Sequence, residues 1–248
     1  ILNGSKAWND SGYDYVAWCW KAGGATGSND DGNVTSYVSA NQAAGFSIAK
    51  ATGNGSTDSF GHGLGSAPEF IIRKRLDTTD DWTVYTTLID GSLDYLRLNL
   101  TDAKGDSSYS APTSTTFTVP GAGDYIFYSF TSVSGYQKFG TYSGNGTNQT
   151  ITTGFKPAWV MIKATSSSDY KSWVIFDTQR ATAYNDTNLL YANKNAAEGT
   201  RGNGSGDGDV LEIISTATGF KLGDASRNNG SDEMNDASTT YLYWAISE

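Results

Sequence analysis

Cysteine and histidine are nearly absent: Cys19 and His62 are the only ones in 248 residues. One cysteine excludes an intrachain disulfide and a Cys-rich zinc site. One histidine excludes a multi-histidine metal site, and any catalytic triad would have to use His62. Positive charge is also scarce, with 17 Lys+Arg against 26 Asp+Glu and a net charge of −9. That argues against a sequence-independent nucleic-acid binder and against docking on an anionic membrane through a polybasic patch. No run approaches the ~18 apolar residues of a membrane span. Proline numbers 4 and methionine 2.

Glycine and aromatics are what the chain has in quantity: 29 Gly, 15 Tyr, 10 Phe and 7 Trp. Short aromatic and β-branched runs alternate with Ser, Thr, Asn and Gly, the pattern of an all-β protein rich in turns. The glycines do not imply disorder, because the aromatics supply the apolar area a core needs.

The chain repeats itself. Gly45-Phe46-Ser47-Ile48 runs to Gly53-Asn54-Gly55, and Gly135-Tyr136-Gln137-Lys138-Phe139 runs to Gly144-Asn145-Gly146. A Pro and a strand with a basic end follow each: Pro68 with Phe70-Ile71-Ile72-Arg73-Lys74, and Pro157 with Trp159-Val160-Met161-Ile162-Lys163. Trp82-Thr83-Val84-Tyr85 then answers Trp173-Val174-Ile175-Phe176. A second element occurs three times, as Tyr15-Val16-Ala17-Trp18, Tyr125-Ile126-Phe127-Tyr128 and Tyr241-Leu242-Tyr243-Trp244. The fold expected is all-β: two tandem β-sandwich repeats of jelly-roll or lectin-like kind, 21–130 and 131–248. Residues 1–20 are expected to be an extra N-terminal strand segment, the tail of a preceding repeat.

Strands are expected near 13–20, 46–52, 69–75, 82–88, 95–100, 115–119, 124–130, 136–142, 158–163, 172–177, 210–214, 219–222 and 240–246. The helix signal is confined to 186–199, where Asn193 and Asn195 weaken it. Cys19, among strand aromatics, is expected to be a small buried residue.

These motifs resemble a repeat of marine bacteriophage tail-fibre-like proteins, chiefly of cyanophage type. The resemblance rests on Gly61-His62-Gly63-Leu64-Gly65-Ser66-Ala67-Pro68, on Gly135 to Gly146, and on Thr153-Gly154-Phe155-Lys156-Pro157-Ala158-Trp159. Trp20-Lys21-Ala22-Gly23-Gly24 and Val38-Ser39-Ala40-Asn41 fit the same pattern. It implies a virion or extracellular location and a non-enzymatic adhesive role toward a host-surface glycan or protein. The implied partners are other virion proteins and further copies of the chain, as in a trimeric fibre. A purely structural virion component (a head fibre, capsid decoration or fibre spacer) is the alternative. A polysaccharide-cutting tailspike is a third reading, with Asp80, Asp81, Asp169, Asp177 and Glu212 as available carboxylates.

Candidate ligand-binding residues are Trp82 and Trp173, which open strands after polar loops, with Tyr170, Asp80 and Asp81 beside them. A half-exposed aromatic next to carboxylates can stack on a sugar ring while the acids accept from its hydroxyls. Asp177 and Arg180 could form a further binding pair, although the plainer reading is an ion pair capping a turn. His62 reads as a turn residue. No cofactor is implied. Calcium is the one ion the Asp/Gly turns could hold, with Asp207 and Asp209 as its candidate ligands, and the plainer reading of those turns is solvation.

Overall fold

The structure is a computed structural model, and it describes residue 12 and residues 14–166, 171–180, 189–198, 213–222 and 234–248. Eighteen strands follow in chain order among these residues: Gly27–Asn29 (β1), Ser36–Asn41 (β2), Phe46–Gly53 (β3), Thr57–Gly61 (β4), Phe70–Arg75 (β5), Thr83–Thr86 (β6), Asp94–Arg97 (β7), Gly105–Asp106 (β8), Thr116–Pro120 (β9), Gly123–Phe130 (β10), Gln137–Ser143 (β11), Gln149–Thr152 (β12), Pro157–Ala164 (β13), Val174–Asp177 (β14), Leu190–Tyr191 (β15), Ile213–Thr216 (β16), Gly219–Leu222 (β17) and Thr240–Ser247 (β18). The protein is all-β; the one helical turn among the described residues is a 3-10 turn at Gln42–Ala44.

Two large antiparallel sheets dominate. One has the order β1-β2-β3-β10-β5-β6-β7-β8 and the other β11-β18-β13-β14-β15. The stretch β3-β10-β5-β6-β7 has the same chain connectivity as the whole of the second sheet. Each large sheet carries a smaller one on its outer face: β4-β9 on the first, β12-β17-β16 on the second.

Strand alternation explains the layers. In β10, Tyr125 and Phe127 join the cluster under β4 and β9, whereas Phe130 joins the cluster between the large sheets. In β18, Tyr241, Tyr243 and Ala245 face the smaller sheet, and Leu242 and Trp244 face the other half. Strands buried on both faces read as continuous apolar runs, which is why these aromatic-ended segments stood out in the sequence. Each half thus holds its own core, and a third core joins them. Its center is aromatic: Trp244 lies 4.4 Å from Phe130, 5.2 Å from Phe139 and 4.9 Å from Trp159 between ring centroids. Burial of each such ring contributes roughly 2–3 kcal/mol.

Several expectations need correction. Residues 14–20 form no strand. The neighbouring edge of β3 is already taken by β2, so the segment spends its alternation on Trp18 and Trp20, which dock on the rim of the shared core. Trp20 packs 5.3 Å from Trp244 and Trp18 packs 6.2 Å from Trp159. Cys19, between them, points outward and is exposed. The helix signal over 186–199 is not realised in 189–198, which hold β15 and turns. Strands β1, β2, β4, β8, β12 and β15 have no counterpart among the expected strands, because each is at most six residues long and none carries a sustained apolar run. The expected strand 210–214 falls partly outside the described residues; β16 starts at Ile213.

Candidate functional site

Strands β5, β6 and β7 pair so that two cross-strand rows form on one face. Arg73 stands opposite Thr83, which stands opposite Arg97; Ile71 stands opposite Tyr85, which stands opposite Tyr95. Gly105 of β8 continues the second row beside Tyr95. A Cβ at Gly105 would meet the Tyr95 ring at 2.5 Å, so the close approach requires glycine. A cavity of about 250 Å³ opens on this face, lined by Arg73, Asp80, Asp81, Thr83, Tyr85, Tyr95, Arg97, Asp106, Ser107, Ser108 and Tyr109. None of the lining residues comes from β4 or β9, although Tyr85, Tyr95 and Tyr109 reach the core that those strands share.

Both guanidiniums are already paired. Arg73 Nη2 donates to Asp80 Oδ2 at 2.8 Å and to Thr83 Oγ1 at 3.1 Å. Its guanidinium lies over Tyr85 and Tyr125, 5.9 and 5.5 Å from the ring centroids. Arg97 Nε contacts Asp81 Oδ2 at 3.0 Å, its Nη1 donates to Asp102 at 2.8 Å, and it covers Tyr95 at 5.4 Å. Asn99 holds the loop from beneath: its Nδ2 donates to Asp81 Oδ1 and its Oδ1 accepts from the Trp82 N–H. Burial pushes the Tyr85 phenol up, keeping it protonated as a donor.

Asp106 links the pocket to a second cluster. The Lys104 ammonium donates at 2.7 Å to Asp90, to Asp94 and to Asp106. Their carboxylates converge closely enough to hold a metal ion, but the ammonium sits among them and supplies the positive charge itself. Hydrogen bonds to Asp106, Asp90 and Asp94 push the Lys104 ammonium up. Those to Lys104 hold Asp90 and Asp106 below the usual carboxylate range. Asp94, with its side chain out of water, is instead pushed up by burial. Sequence reading missed this cluster. Its only local trace is Lys104-Gly105-Asp106, where a two-residue spacing in a strand puts both side chains on one face.

Asp80 and Asp81 come together in the pocket. Trp82 is 38% exposed but does not line it. Trp173, expected to be half exposed, is 1% exposed: it lies in the core between the large sheets, and its Nε1–H donates to the Arg97 carbonyl at 2.8 Å. Asp177 and Arg180 sit on the other large sheet, and their geometry is that of a turn clasp. Asp177 Oδ1 accepts from the Gln179 and Arg180 N–H groups, and Oδ2 accepts from Arg180 Nε at 2.7 Å. Arg180 further pairs with Glu198 and covers the Trp18 ring. Tyr170, Asp207 and Asp209, with Asp169 and Glu212, lie outside the described residues. His62 is fully buried. Its Nδ1 accepts from the Leu64 N–H and its Nε2 faces the Thr113 carbonyl, both at 3.2 Å.

The fold and pocket define an all-β protein of paired sandwiches with a polar, tyrosine-bearing cavity at a sheet end. The family described as Domain of unknown function (DUF7483) matches residues 2–248, and the chain belongs to that family. No curated protein and no solved structure matches it.

Proposed function

We propose that this chain is a non-enzymatic adhesion module of a phage tail fibre and binds a host-surface glycan in the pocket at the end of β5–β8. The observation that carries the reading is the pocket's lining, in which carboxylates, serines and threonine ring a half-buried tyrosine, Tyr109. Acceptors and donors beside an aromatic face are what a sugar needs. Asp106, held ionised by Lys104, is a poor general acid and a ready acceptor for a sugar hydroxyl. The two-repeat organisation, the virion location and assembly into a homo-oligomer belong to the same proposal.

The test is retention of host-surface polysaccharide from marine cyanobacteria by the purified chain, reading both the amount bound and the polymer size afterward. Intact polymer retained by the native chain and lost by Tyr109→Ala is the expected outcome. Release of shortened polymer would sink the non-enzymatic reading.

A structural spacer is the second reading, and one observation favours it. β2 and β1 cover the outer edge of β3, whereas β11, in the same place in the second sheet, is an edge strand among the described residues, bonded on its outer side at Gln137 and Phe139 to Val133 and Ser132. An open edge is a template for pairing with a neighbour. No retention by a folded sample would favour this reading.

A further inference from the structure

Resting on that reading of the pocket, we infer that it takes a neutral, hydroxyl-rich pyranose and rejects acidic sugars. An acidic sugar requires a cation whose charge is not already neutralised, and this site holds its cations in carboxylate pairs. Arg73 is engaged by Asp80 and Thr83, and Arg97 by Asp81 and Asp102. Lys104, behind Asp106, is shared among three carboxylates. Acids therefore outnumber bases both in the lining and just behind it, within a chain whose net charge is −9. A uronate or sulfated sugar would bring a further negative charge beside these carboxylates, which is unfavourable in a partly desolvated cleft.

A neutral sugar meets no such conflict. Ionised carboxylates in ion pairs keep lone pairs that accept from hydroxyls, since each offers about four acceptor positions. Ser107, Ser108 and the tyrosine hydroxyls both donate and accept. Tyr85 and Tyr95 have arginine over their rings. Tyr109 is the lining tyrosine with no cation over its ring among the described residues, so it is the face left for a pyranose. A volume of about 250 Å³ suits one ring with its waters rather than a long oligosaccharide.

The test is an amide NMR titration of the full chain with methyl β-galactopyranoside and methyl α-glucopyranoside, set against sodium galacturonate and sodium glucuronate. At least one neutral glycoside is expected to shift the amides of Asp81, Ser107, Ser108 and Tyr109 saturably, with the uronates at least tenfold weaker. Tyr109→Ala should abolish the shifts. Should that variant unfold, Ser108→Trp fills the exposed mouth of the pocket and should have the same effect on a folded chain. Uronates binding as tightly as the glycosides at these amides would overturn the inference while leaving the pocket a sugar site. Polymer retention with no monosaccharide shift at these amides would overturn both the inference and the placement of glycan binding in this pocket. Failure of both retention and titration would overturn the adhesion reading itself.

Discussion

His62 and Thr153 build the same turn in the two halves from different side chains. The His62 Nδ1 accepts from the N–H of Leu64, and the Thr153 hydroxyl is placed to accept from the N–H of Phe155; each acceptor serves the residue two positions on. The backbone N–H groups of both are bonded to a carbonyl just before a late strand, Thr115 for His62 and Thr218 for Thr153. The imidazole is therefore one solution to a local hydrogen-bonding problem, and the fold does not require its chemistry.

The single histidine makes its titration easy to observe. Burial lowers the His62 pKa, against smaller opposing effects from the Thr113 carbonyl and Asp31. The unfolded imidazole titrates near 6.5, so the unfolded state takes up the proton first as pH falls. Stability is then fully present above about pH 7 and declines as pH drops below 6.5 toward the folded value. The lone imidazole NMR signal should titrate below 6.5, and the urea midpoint should fall between pH 7 and 5. His62→Thr should keep the turn and flatten that decline.

Trp173→Ala should cost about 3–5 kcal/mol, because it empties a fully buried site in the shared core and orphans the Arg97 carbonyl. Trp82→Ala should cost less than about 1 kcal/mol, since the ring is partly in water. Urea unfolding of the two variants separates the cases. Polysaccharide retention should survive Trp82→Ala, because that side chain lies outside the pocket.

Lys104→Met should destabilise the chain by about 2–3 kcal/mol, because Asp94 keeps a charge out of water with no cation beside it. The figure lies below the usual ~3–5 kcal/mol for a broken buried pair because Lys104 leaves 24% of its side chain in solvent. Adding Asp94→Asn should restore part of the loss, and a double-mutant cycle in chemical denaturation measures the coupling.

Trp20→Ala should loosen the 14–20 segment, because this ring bridges Phe130, Trp159 and Trp244. A cost of about 1–3 kcal/mol is expected for a half-buried tryptophan. Cys19 is exposed and is the chain's only thiol. It can carry a fluorescent label, whose anisotropy should fall in the variant if the segment detaches.

Sequence alone determined the all-β class, most long strands and the rough place of Asp80 and Asp81, because alternation, aromatic runs and Gly-Asn-Gly turns are local signals. Central strands such as β10, β13 and β18 were visible since both of their faces are apolar. The two-residue strand β8 was not, because its neighbours rather than its own residues make it a strand. Tertiary structure decided everything that depends on register and on which face meets which. Only the pairing of β5, β6 and β7 puts Arg73, Thr83 and Arg97 in one row. Only the fold brings Asp90, Asp94 and Asp106 around Lys104. Trp82 and Trp173 look alike in sequence, yet one stands partly in solvent and the other is sealed between two sheets. A side chain's period along a strand is written in its neighbours, whereas its burial is set by what packs against that face, and residues distant in the chain supply that.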